Sequence, residues 1–273
     1  MRSSRTYAKR VSAKLNDFLA TRMAKPLGLW MGCGYPRSGT TWVCRLLSSY
    51  LELPWAKNRM LPAIRNVVLH SHFDYHPSLS NCFYVYRDGR DVIVSQYFSR
   101  VRLMHRAELR VDQKWQRIFS TLFGAGFDSA DIRRYLPRYL EFIFTDPIDS
   151  RDTWPDHIQA WVQPQRDNIA FLSYEDLLED TFKSISTGLN IFLDKAIDEA
   201  QLRDAIEQVS FAKWTGRQPG VEAPNDFFRK GVAGDWRNHF TREAADIFAG
   251  YAGDTLVTLG YEDNLDWVKD CPA

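Results

Sequence analysis

An eight-residue segment near the N-terminus, Gly34–Thr41, has the residue types and spacing of an anion-binding loop. Its sequence, GYPRSGTT, matches the glycines and the final hydroxyl of the phosphate-binding pattern G-x-x-x-x-G-K-[ST]. Between a strand and a helix, such a turn presents backbone N–H groups and the positive end of the helix to an anion. Gly39 lets the backbone approach closely, and Ser38, Thr40 and Thr41 add hydroxyl donors. The segment is therefore predicted to bind a phosphate-like anion.

The loop departs from that pattern in the position of its cation. Thr40 stands where nucleotide hydrolases have a lysine, and Arg37 supplies a positive charge from within the loop. In those hydrolases the lysine and magnesium together neutralise the β- and γ-phosphates. A short, doubly anionic group such as a phosphosulfate therefore suits this loop better than a triphosphate. On spacing alone, a tight turn before a capped helix is the alternative.

Three long segments match, in order, the motifs of one known family. Residues 35–42 are YPRSGTTW, residues 84–98 are YVYRDGRDVIVSQYF, and residues 229–241 are RKGVAGDWRNHFT. They resemble the 5′-phosphosulfate loop (YPKSGTTW), the 3′-phosphate segment and the C-terminal signature (RKGxxGDWKNxFT) of the cytosolic sulfotransferases. Shorter similarities occur at residues 153–161, 173–180 and 259–262. The resemblance extends from Tyr35 almost to the C-terminus, with residues 100–152 as its gap.

The resemblance implies a donor, 3′-phosphoadenosine-5′-phosphosulfate (PAPS), a product, 3′,5′-ADP (PAP), and a role for each matching residue. The residues that would hold the 5′-phosphosulfate are Arg37, Ser38, Gly39, Thr40 and Thr41. Those that would bind the 3′-phosphate are Arg87, Ser95, Arg229, Lys230 and Gly231. Those that would contact the adenine and the rest of the nucleotide are Trp42, Tyr174, Phe211 and Phe228.

The chemistry of the predicted 3′-phosphate site agrees with that role. The planar guanidinium of Arg87 can bind a phosphate through two hydrogen bonds, and Ser95 can reach the same group across a strand-to-helix turn. Arg229 and Lys230 place two cations beside Gly231, which permits close backbone approach. Because the 3′-phosphate distinguishes PAPS from ATP, such a pocket would select the donor. Taken singly, the segment around Arg87 also fits a helix start with paired charges, and residues 229–231 also fit a solvated surface turn.

Transfer to a hydroxyl or amine requires a base, and histidine is suited to that task. In the family, a Lys-Thr-His triplet ends the strand before the 3′-phosphate segment, and its histidine is the base. The corresponding triplet is His70-Ser71-His72, so the resemblance implies that His72 is the catalytic base and that Arg37 assists the leaving phosphate. Since alternate strand residues share a side, His70 and His72 could face the site together. With His76 they could suggest a metal site, but no carboxylate or cysteine completes a convincing ligand set, and no metal is expected.

Two positions depart from the family pattern. His70 stands where the family has a lysine that assists the leaving phosphate, and Arg37 replaces the lysine of the loop. A protonated His70 could take part of that role, or Arg37 could fill it alone. Arginine keeps the charge but, unlike lysine, does not release its proton or move readily between partners. Activity is therefore expected, and its rate is left open.

Strands that alternate with helices are predicted to position these residues. Strand patterns occur at residues 27–33, 67–72, 82–86 and 169–172, and helical patterns at residues 41–50, 91–98, 175–193, 198–209 and 242–258. This order predicts an α/β fold, a single domain with a central parallel sheet and helices on both faces. Each motif follows a strand end, where ligands bind in such sheets. Residues 100–152 are predicted to lie over the sheet as a lid or substrate wall.

Composition bounds the class of protein. The 273 residues carry a formal net charge of +1, which argues against a nucleic-acid partner. The four cysteines are scattered without metal-binding spacing, and we expect them to be reduced thiols of a cytoplasmic protein. No apolar run approaches the roughly 18 residues that a membrane-spanning helix needs.

The N-terminal segment is basic and amphipathic, and we assign residues 1–26 to it and residues 27–273 to the sulfotransferase domain. Residues 1–25 contain seven Lys or Arg residues against one Asp, and apolar residues recur at helical spacing. Such a helix can lie on an anionic membrane surface, as a peripheral contact. The simpler interpretation is a surface helix that packs on the domain and exposes a solvated basic face.

Other classes of protein fit part of the pattern. A P-loop kinase or hydrolase needs the lysine that Thr40 replaces, and a non-catalytic nucleotide-binding module would not need His72. The acceptor is left open among small molecules, lipids and glycans; Phe73, Tyr75 and the rings within residues 115–127 are candidate walls of its pocket. The oligomeric state is also open, because the family's dimer motif K-x-x-x-T-V-x-x-x-E has become RNHFTREAAD at residues 237–246.

Overall fold

Five short apolar segments form one parallel sheet at the centre of the fold. In the computed structural model they are β1 (Leu29–Cys33), β2 (Trp55–Lys57), β3 (Val67–His70), β4 (Cys82–Tyr86) and β5 (Ile169–Ser173), in the order β2-β3-β1-β4-β5. Every residue of β1 and β3 is buried, as expected for strands covered on both faces. The structure describes residues 11, 14–16, 18–57, 65–72, 74–106, 110–147, 152–162 and 168–273.

Helices make up most of the rest of the described chain. They are α1 (Thr40–Tyr50), α2 (Gly89–Arg106), α3 (Arg110–Phe123), α4 (Ile132–Thr145), α5 (Trp154–Trp161), α6 (Tyr174–Glu179), α7 (Thr181–Asn190), α8 (Glu199–Gln208), α9 (Phe211–Thr215) and α10 (Arg242–Thr258). Two 3-10 helices lie at Asp235–Asn238 and Leu265–Asp270. The described residues divide into two compact units.

The first unit comprises the described residues up to Arg87 and those of residues 160–217, and it contains the whole sheet. On one face of the sheet, Val43 of α1 belongs to the same buried cluster as Phe83 and Val85 of β4, and residues of α7 and α8 complete that cluster. Tyr84 points to the opposite face and stacks on Trp161, with 4.4 Å between ring centroids. Both faces of the sheet are therefore covered.

The second unit comprises the described residues of 88–159 and of 218–273, and its core is aromatic. Tyr97 of α2 contacts Phe119 of α3 and Tyr139 of α4, with ring centroids 6.0 Å and 5.3 Å apart. Trp115 and Phe119 are 2% and 0% exposed. Both rings pack in the core of this unit, where they join α3 to its neighbours. That the rings of residues 115–127 line an acceptor pocket stays a prediction.

The predicted fold class, an α/β domain with a central parallel sheet, is confirmed. The helix predicted at residues 175–193 is two helices, because α6 ends at Glu179 and the Asp180 carboxylate accepts the N–H of Lys183 to begin α7. Strand β2 was missed, since three residues carry too little pattern. Within the described residues, no helix has the length and apolar character needed to cross a membrane.

Candidate active site

The anion loop joins β1 to α1, where the order of the strands reverses along the sheet. Both of its glycines are required by their surroundings. A Cβ atom on Gly34 would lie 2.3 Å from the carbonyl oxygen of Val85, and one on Gly39 would lie 2.6 Å from the ring of Tyr174. Gly39 also has a φ of 100°, which other residues rarely adopt. At these two positions the loop backbone thus passes so close to Val85 and Tyr174 that no side chain would fit.

Two hydroxyl groups of the loop are buried. Ser38 and Thr40 are 0% and 3% exposed, and their hydroxyl oxygens have no hydrogen-bond partner among the residues that the structure describes. Because the N-cap of α1 is Gly39, no side chain caps its first N–H groups. Arg37 has a φ of 80°, a strained conformation of the kind found at binding sites. These features fit the 5′-phosphosulfate that the sequence predicts.

One hydrogen bond joins His72 to this loop. Strand β3 ends at His70, so His72 lies beyond the strand rather than inside it as predicted. Its Nδ1 lies 2.6 Å from the carbonyl oxygen of Gly34, and because a carbonyl only accepts, Nδ1 must carry a proton. In the neutral ring, Nε2 then holds the lone pair that can accept another proton. The candidate base is thereby oriented by the loop itself.

The side chain of His70 is buried at the end of β3. It is 5% exposed, stacks on Trp55 with centroids 6.1 Å apart, and meets the His72 ring edge-on at 5.3 Å. The two histidines are therefore in contact, although only His70 belongs to the strand. Nδ1 of His76 accepts a backbone N–H two residues further on. Within the described chain, no group of three or more His, Cys, Asp or Glu residues is arranged to hold a metal ion.

Three predicted nucleotide-binding residues meet at the carboxyl edge of the sheet. Arg87 follows β4 and Tyr174 follows β5. The rings of Trp42 and Tyr174 lie edge to face with centroids 6.1 Å apart, and the guanidinium carbon of Arg87 lies 4.3 Å from the Tyr174 centroid. Phe211 is also predicted to contact the nucleotide, and it is the first residue of α9.

The remaining predicted nucleotide-binding residues belong to the second unit. Ser95 is on α2, and Phe228, Arg229, Lys230 and Gly231 lie in the segment that precedes the 3-10 helix at residues 235–238. Phe228 packs edge to face on its neighbour in the chain, with ring centroids 4.9 Å apart. Gly231 has a φ of 67°, so the backbone turns there in a way that favours glycine.

Asp235 is a functional candidate that the sequence analysis missed. Its carboxylate accepts hydrogen bonds from Arg229, from Lys230 Nζ at 2.5 Å, from Asn238 Nδ2 at 2.9 Å and from His239 Nε2 at 3.1 Å. Burial alone would raise the pKa of Asp235, but these hydrogen bonds hold that pKa well below its usual range. The two cations predicted to bind the 3′-phosphate are thus fixed by one buried carboxylate.

Asp91, in the first turn of α2, connects that helix to the same region. Its carboxylate accepts the N–H groups of Gly234 at 2.7 Å and Trp236 at 2.9 Å. Its neighbour Arg90 donates to Asp88 at 2.7 Å and lies over the Trp236 ring at 3.8 Å. The helix that carries Ser95 and the turn that carries Asp235 are therefore joined through buried polar contacts.

These features define an α/β protein with a glycine-containing loop between β1 and α1 and a histidine hydrogen-bonded to that loop. A family profile described as the sulfotransferase domain matches residues 55–259, so the chain belongs to the sulfotransferase family and is an enzyme of that class, as predicted. The match begins after the anion loop, so the family assignment does not depend on that loop.

Relatives and solved structures agree with this assignment. The 3-beta-hydroxysteroid sulfotransferase of Cavia porcellus is 26% identical, over 87% of this chain and 86% of the relative. Sulfotransferase 1C2 of Rattus norvegicus is 28% identical, over 84% and 83%. The crystal structure of mouse sulfotransferase SULT7A1 complexed with PAP has a TM-score of 0.58 at 18% identity, covering 85% of this chain and 88% of that one. This last likeness shows that the fold is shared.

Proposed function

We propose that this enzyme transfers the sulfuryl group of PAPS to a hydroxyl or amine of an acceptor, with His72 as the general base. The observation that carries the proposal is the hydrogen bond between His72 Nδ1 and the Gly34 carbonyl, because it ties a base to the predicted phosphosulfate loop. A mouse sulfotransferase and a retinol dehydratase of the same fold are described as complexes with PAP, which supports the same nucleotide here.

Bound PAPS would supply an activated sulfuryl group, and the residues of the chain would position it and move the proton. Ser38, Thr40 and the first N–H groups of α1 would hold the 5′-phosphosulfate. Arg37 would stabilise the charge that develops on the 5′-phosphate as the bond between sulfur and the bridging oxygen breaks. His72 Nε2 would accept the proton of the acceptor as its oxygen or nitrogen bonds to sulfur.

The rest of the nucleotide would be bound by two groups of residues. The group proposed for the 3′-phosphate is Arg87, Ser95, Arg229, Lys230 and Gly231. The group proposed for the adenine and ribose is Trp42, Tyr174, Phe211 and Phe228. Charge balance in this scheme comes from arginine and lysine, so we expect binding that does not depend on magnesium.

The acceptor is proposed to be a small molecule. Relatives are named for a steroid and for amines, and a structural neighbour is described in complex with retinol. The steroid and retinol share an apolar body and a hydroxyl group, and an amine offers a nucleophilic nitrogen. A panel of steroids, phenols, retinoids and alkylamines, with a lipid and a glycan included, would identify the class when assayed with PAPS.

The N-terminal segment is proposed to touch anionic membranes. Its outward side exposes Val11 and Phe18, by 43% and 57%, together with Lys14 and Arg22, whereas Ala20 on the opposite side is fully buried. Apolar side chains flanked by cations fit an anionic lipid surface. Co-sedimentation of Phe18→Ser and wild type with phosphatidylserine vesicles tests this; equal binding of the two proteins would contradict it. Uncharged phosphatidylcholine vesicles are the control.

Calorimetric titration tests the proposed donor site. We expect 3′,5′-ADP to bind without magnesium and more tightly than 5′-ADP, because the latter lacks the group that Arg87 and Arg229 are proposed to recognise. Preference for ATP with magnesium would instead support a kinase or hydrolase. Turnover of PAPS with the acceptor panel would then establish the reaction.

A further inference from the structure

Arg229 is held between two carboxylates of different character. Nη2 donates to Asp235, and Nη1 donates to Glu222 Oε1 at 2.7 Å. The side chain of Asp235 is 3% exposed, whereas that of Glu222 is 34% exposed. The guanidinium also lies over the ring of Phe98, 4.4 Å from its centroid. An incoming anion would therefore meet the edge of Arg229 that Glu222 occupies more readily than the edge that faces Asp235.

Asp235 is built into the fold. Besides Arg229 it binds Lys230 and two side chains of its own turn, and this set of donors keeps the carboxylate ionised and in place. Removing it would leave two cations without their shared partner. Asp235 is therefore a positioning residue, which holds Arg229 and Lys230 side by side.

Glu222 lies on a loop that folds back along the Arg229 segment. The N–H of Gly220 donates to the carbonyl of Lys230 at 2.8 Å, and the N–H of Ala223 donates to the carbonyl of Arg229 at 2.9 Å. Glu222 lies between these two backbone contacts in the sequence and is thereby held opposite Arg229. Because its side chain is partly exposed, it can exchange its partner for water without leaving a buried charge unpaired.

We propose that Glu222 is a competitor, built into the chain, for the 3′-phosphate of the nucleotide. It occupies one edge of the Arg229 guanidinium until the 3′-phosphate displaces it, while Asp235 keeps Arg229 and Lys230 in position. The inference rests on the proposed function, in which Arg229 binds that phosphate. A phosphate forms a stronger pair with a guanidinium than a partly exposed carboxylate does, so the exchange favours the nucleotide. The competition weakens the binding of donor and product alike and so favours release of 3′,5′-ADP after transfer.

The test compares nucleotides with and without the 3′-phosphate in variants of Glu222. Dissociation constants for 3′,5′-ADP and 5′-AMP are measured by calorimetry for wild type, Glu222→Gln, Arg229→Ala and the double variant Arg229→Ala/Glu222→Gln. Glu141→Gln, at an exposed residue of α4 with no ion pair in the described part of the chain, is the matched control for the change in charge. In wild type, the 3′-phosphate must displace Glu222 from Arg229, and this partly exposed ion pair opposes nucleotide binding. Without the charge of Glu222, the affinity for 3′,5′-ADP is expected to rise about two- to fivefold.

The pattern across the variants decides between the explanations. We expect 5′-AMP binding to be unchanged in Glu222→Gln, and the gain for 3′,5′-ADP to disappear in the Arg229→Ala background. Equal tightening of both nucleotides would show a general charge effect and overturn the inference, as would unchanged or weaker binding of 3′,5′-ADP. Failure of the proposed function looks different, because wild type would then bind the two nucleotides equally.

Asp235→Asn supplies the contrasting result. Loss of a charge-assisted contact to both cations is expected to weaken 3′,5′-ADP by at least about tenfold, with little effect on 5′-AMP. Removing the charge of Glu222 is thus expected to raise the affinity for 3′,5′-ADP, and removing that of Asp235 to lower it, although both carboxylates bind the same guanidinium. Because Asp235 is buried and this variant loses stability, the decisive measurement is the one on Glu222→Gln.

Discussion

Replacing His72 with asparagine would separate two roles of this side chain. In the structure, Nδ1–H donates to the Gly34 carbonyl, and Nε2 is the nitrogen proposed to accept the proton. The amide nitrogen of asparagine lies near the position of Nδ1 and can keep the hydrogen bond, but nothing replaces Nε2. His72→Asn should therefore preserve the loop and remove the base, whereas His72→Ala removes both.

The two losses differ in size. A positioned general base contributes about 10²- to 10⁴-fold, so kcat of His72→Asn is expected to fall by that factor while binding of 3′,5′-ADP is little changed. The hydrogen bond to Gly34 contributes about 0.5–1.5 kcal/mol, which for a chain of this size corresponds to about 1–6 °C in Tm. His72→Ala should therefore lose the same activity and, in addition, melt below His72→Asn by this margin.

Turnover with PAPS as a function of pH is the assay. The wild-type rate should fall at acid pH, because a protonated imidazole cannot accept the acceptor's proton, and the residual rate of His72→Asn should lack that dependence. His76→Ala, a change of the same kind in the same loop, is the control and should keep its activity. Turnover near the wild-type rate in His72→Asn would refute the assignment of His72 as the base.

Further predictions concern the loop, the shared carboxylate and the oligomeric state. Gly39→Ala should cost about 1–3 kcal/mol in unfolding free energy and weaken 3′,5′-ADP, because of its left-handed φ and the Tyr174 ring; unchanged affinity by calorimetry would contradict this. Arg37→Lys should keep most of kcat and Arg37→Ala should lose it, because a positive charge is needed to stabilise the leaving phosphate. If Arg37→Ala and wild type turned over PAPS at equal rates, Arg37 would be excluded from catalysis. The pKa of Asp235 is lower in the folded protein than its ordinary value of 3.8, so its stabilisation is fully present above about pH 5 and is lost as pH falls through the lowered pKa. In urea unfolding, the gap between wild type and Asp235→Asn should therefore shrink in acid, and a gap that widens would be inconsistent with this shift. Light scattering should show a monomer, because Arg242 stands at the family's dimer contact and donates to carbonyl groups near the C-terminus; a stable dimer would argue otherwise.

The sequence predicted those elements whose pattern is local. The buried strands and the loop between β1 and α1 were placed because apolar runs and the spacing of Gly34 and Gly39 depend on residues close in the chain. The end of β3 at His70 and the hydrogen bond from His72 to Gly34 were not predicted, because that bond joins residues 38 positions apart in the chain. Alternation along a strand predicted that His70 and His72 share a side; in the structure the two rings are in contact, but His72 lies beyond the end of the strand.

The hydrogen-bonded network around Asp235 in the second unit was not predicted, for a similar reason. The resemblance named Arg229 and Lys230, but it gave no reason to expect that Asp235 binds both cations. A signal did exist: Asp235 lies within six residues of Arg229, Lys230 and His239, and so many hydrogen-bond donors near one aspartate favour a shared carboxylate. Glu222 carried no such signal, because its position opposite Arg229 depends on two backbone contacts across a loop.

Within the second unit, Asp91 connects two motifs that are far apart in the chain: the start of α2 and the turn that contains Asp235. Its carboxylate binds two N–H groups of the turn that contains Asp235, 143 and 145 residues further along the chain. Asp91 belongs to the first turn of α2, the helix that carries Ser95, so this contact fixes the turn that orients Arg229 relative to Ser95. A phosphate site made of groups from two segments needs such a contact, because an error of about 1 Å in the position of one donor would weaken the whole set. The aspartate in each motif thus positions the cations and hydroxyls that are proposed to bind the nucleotide.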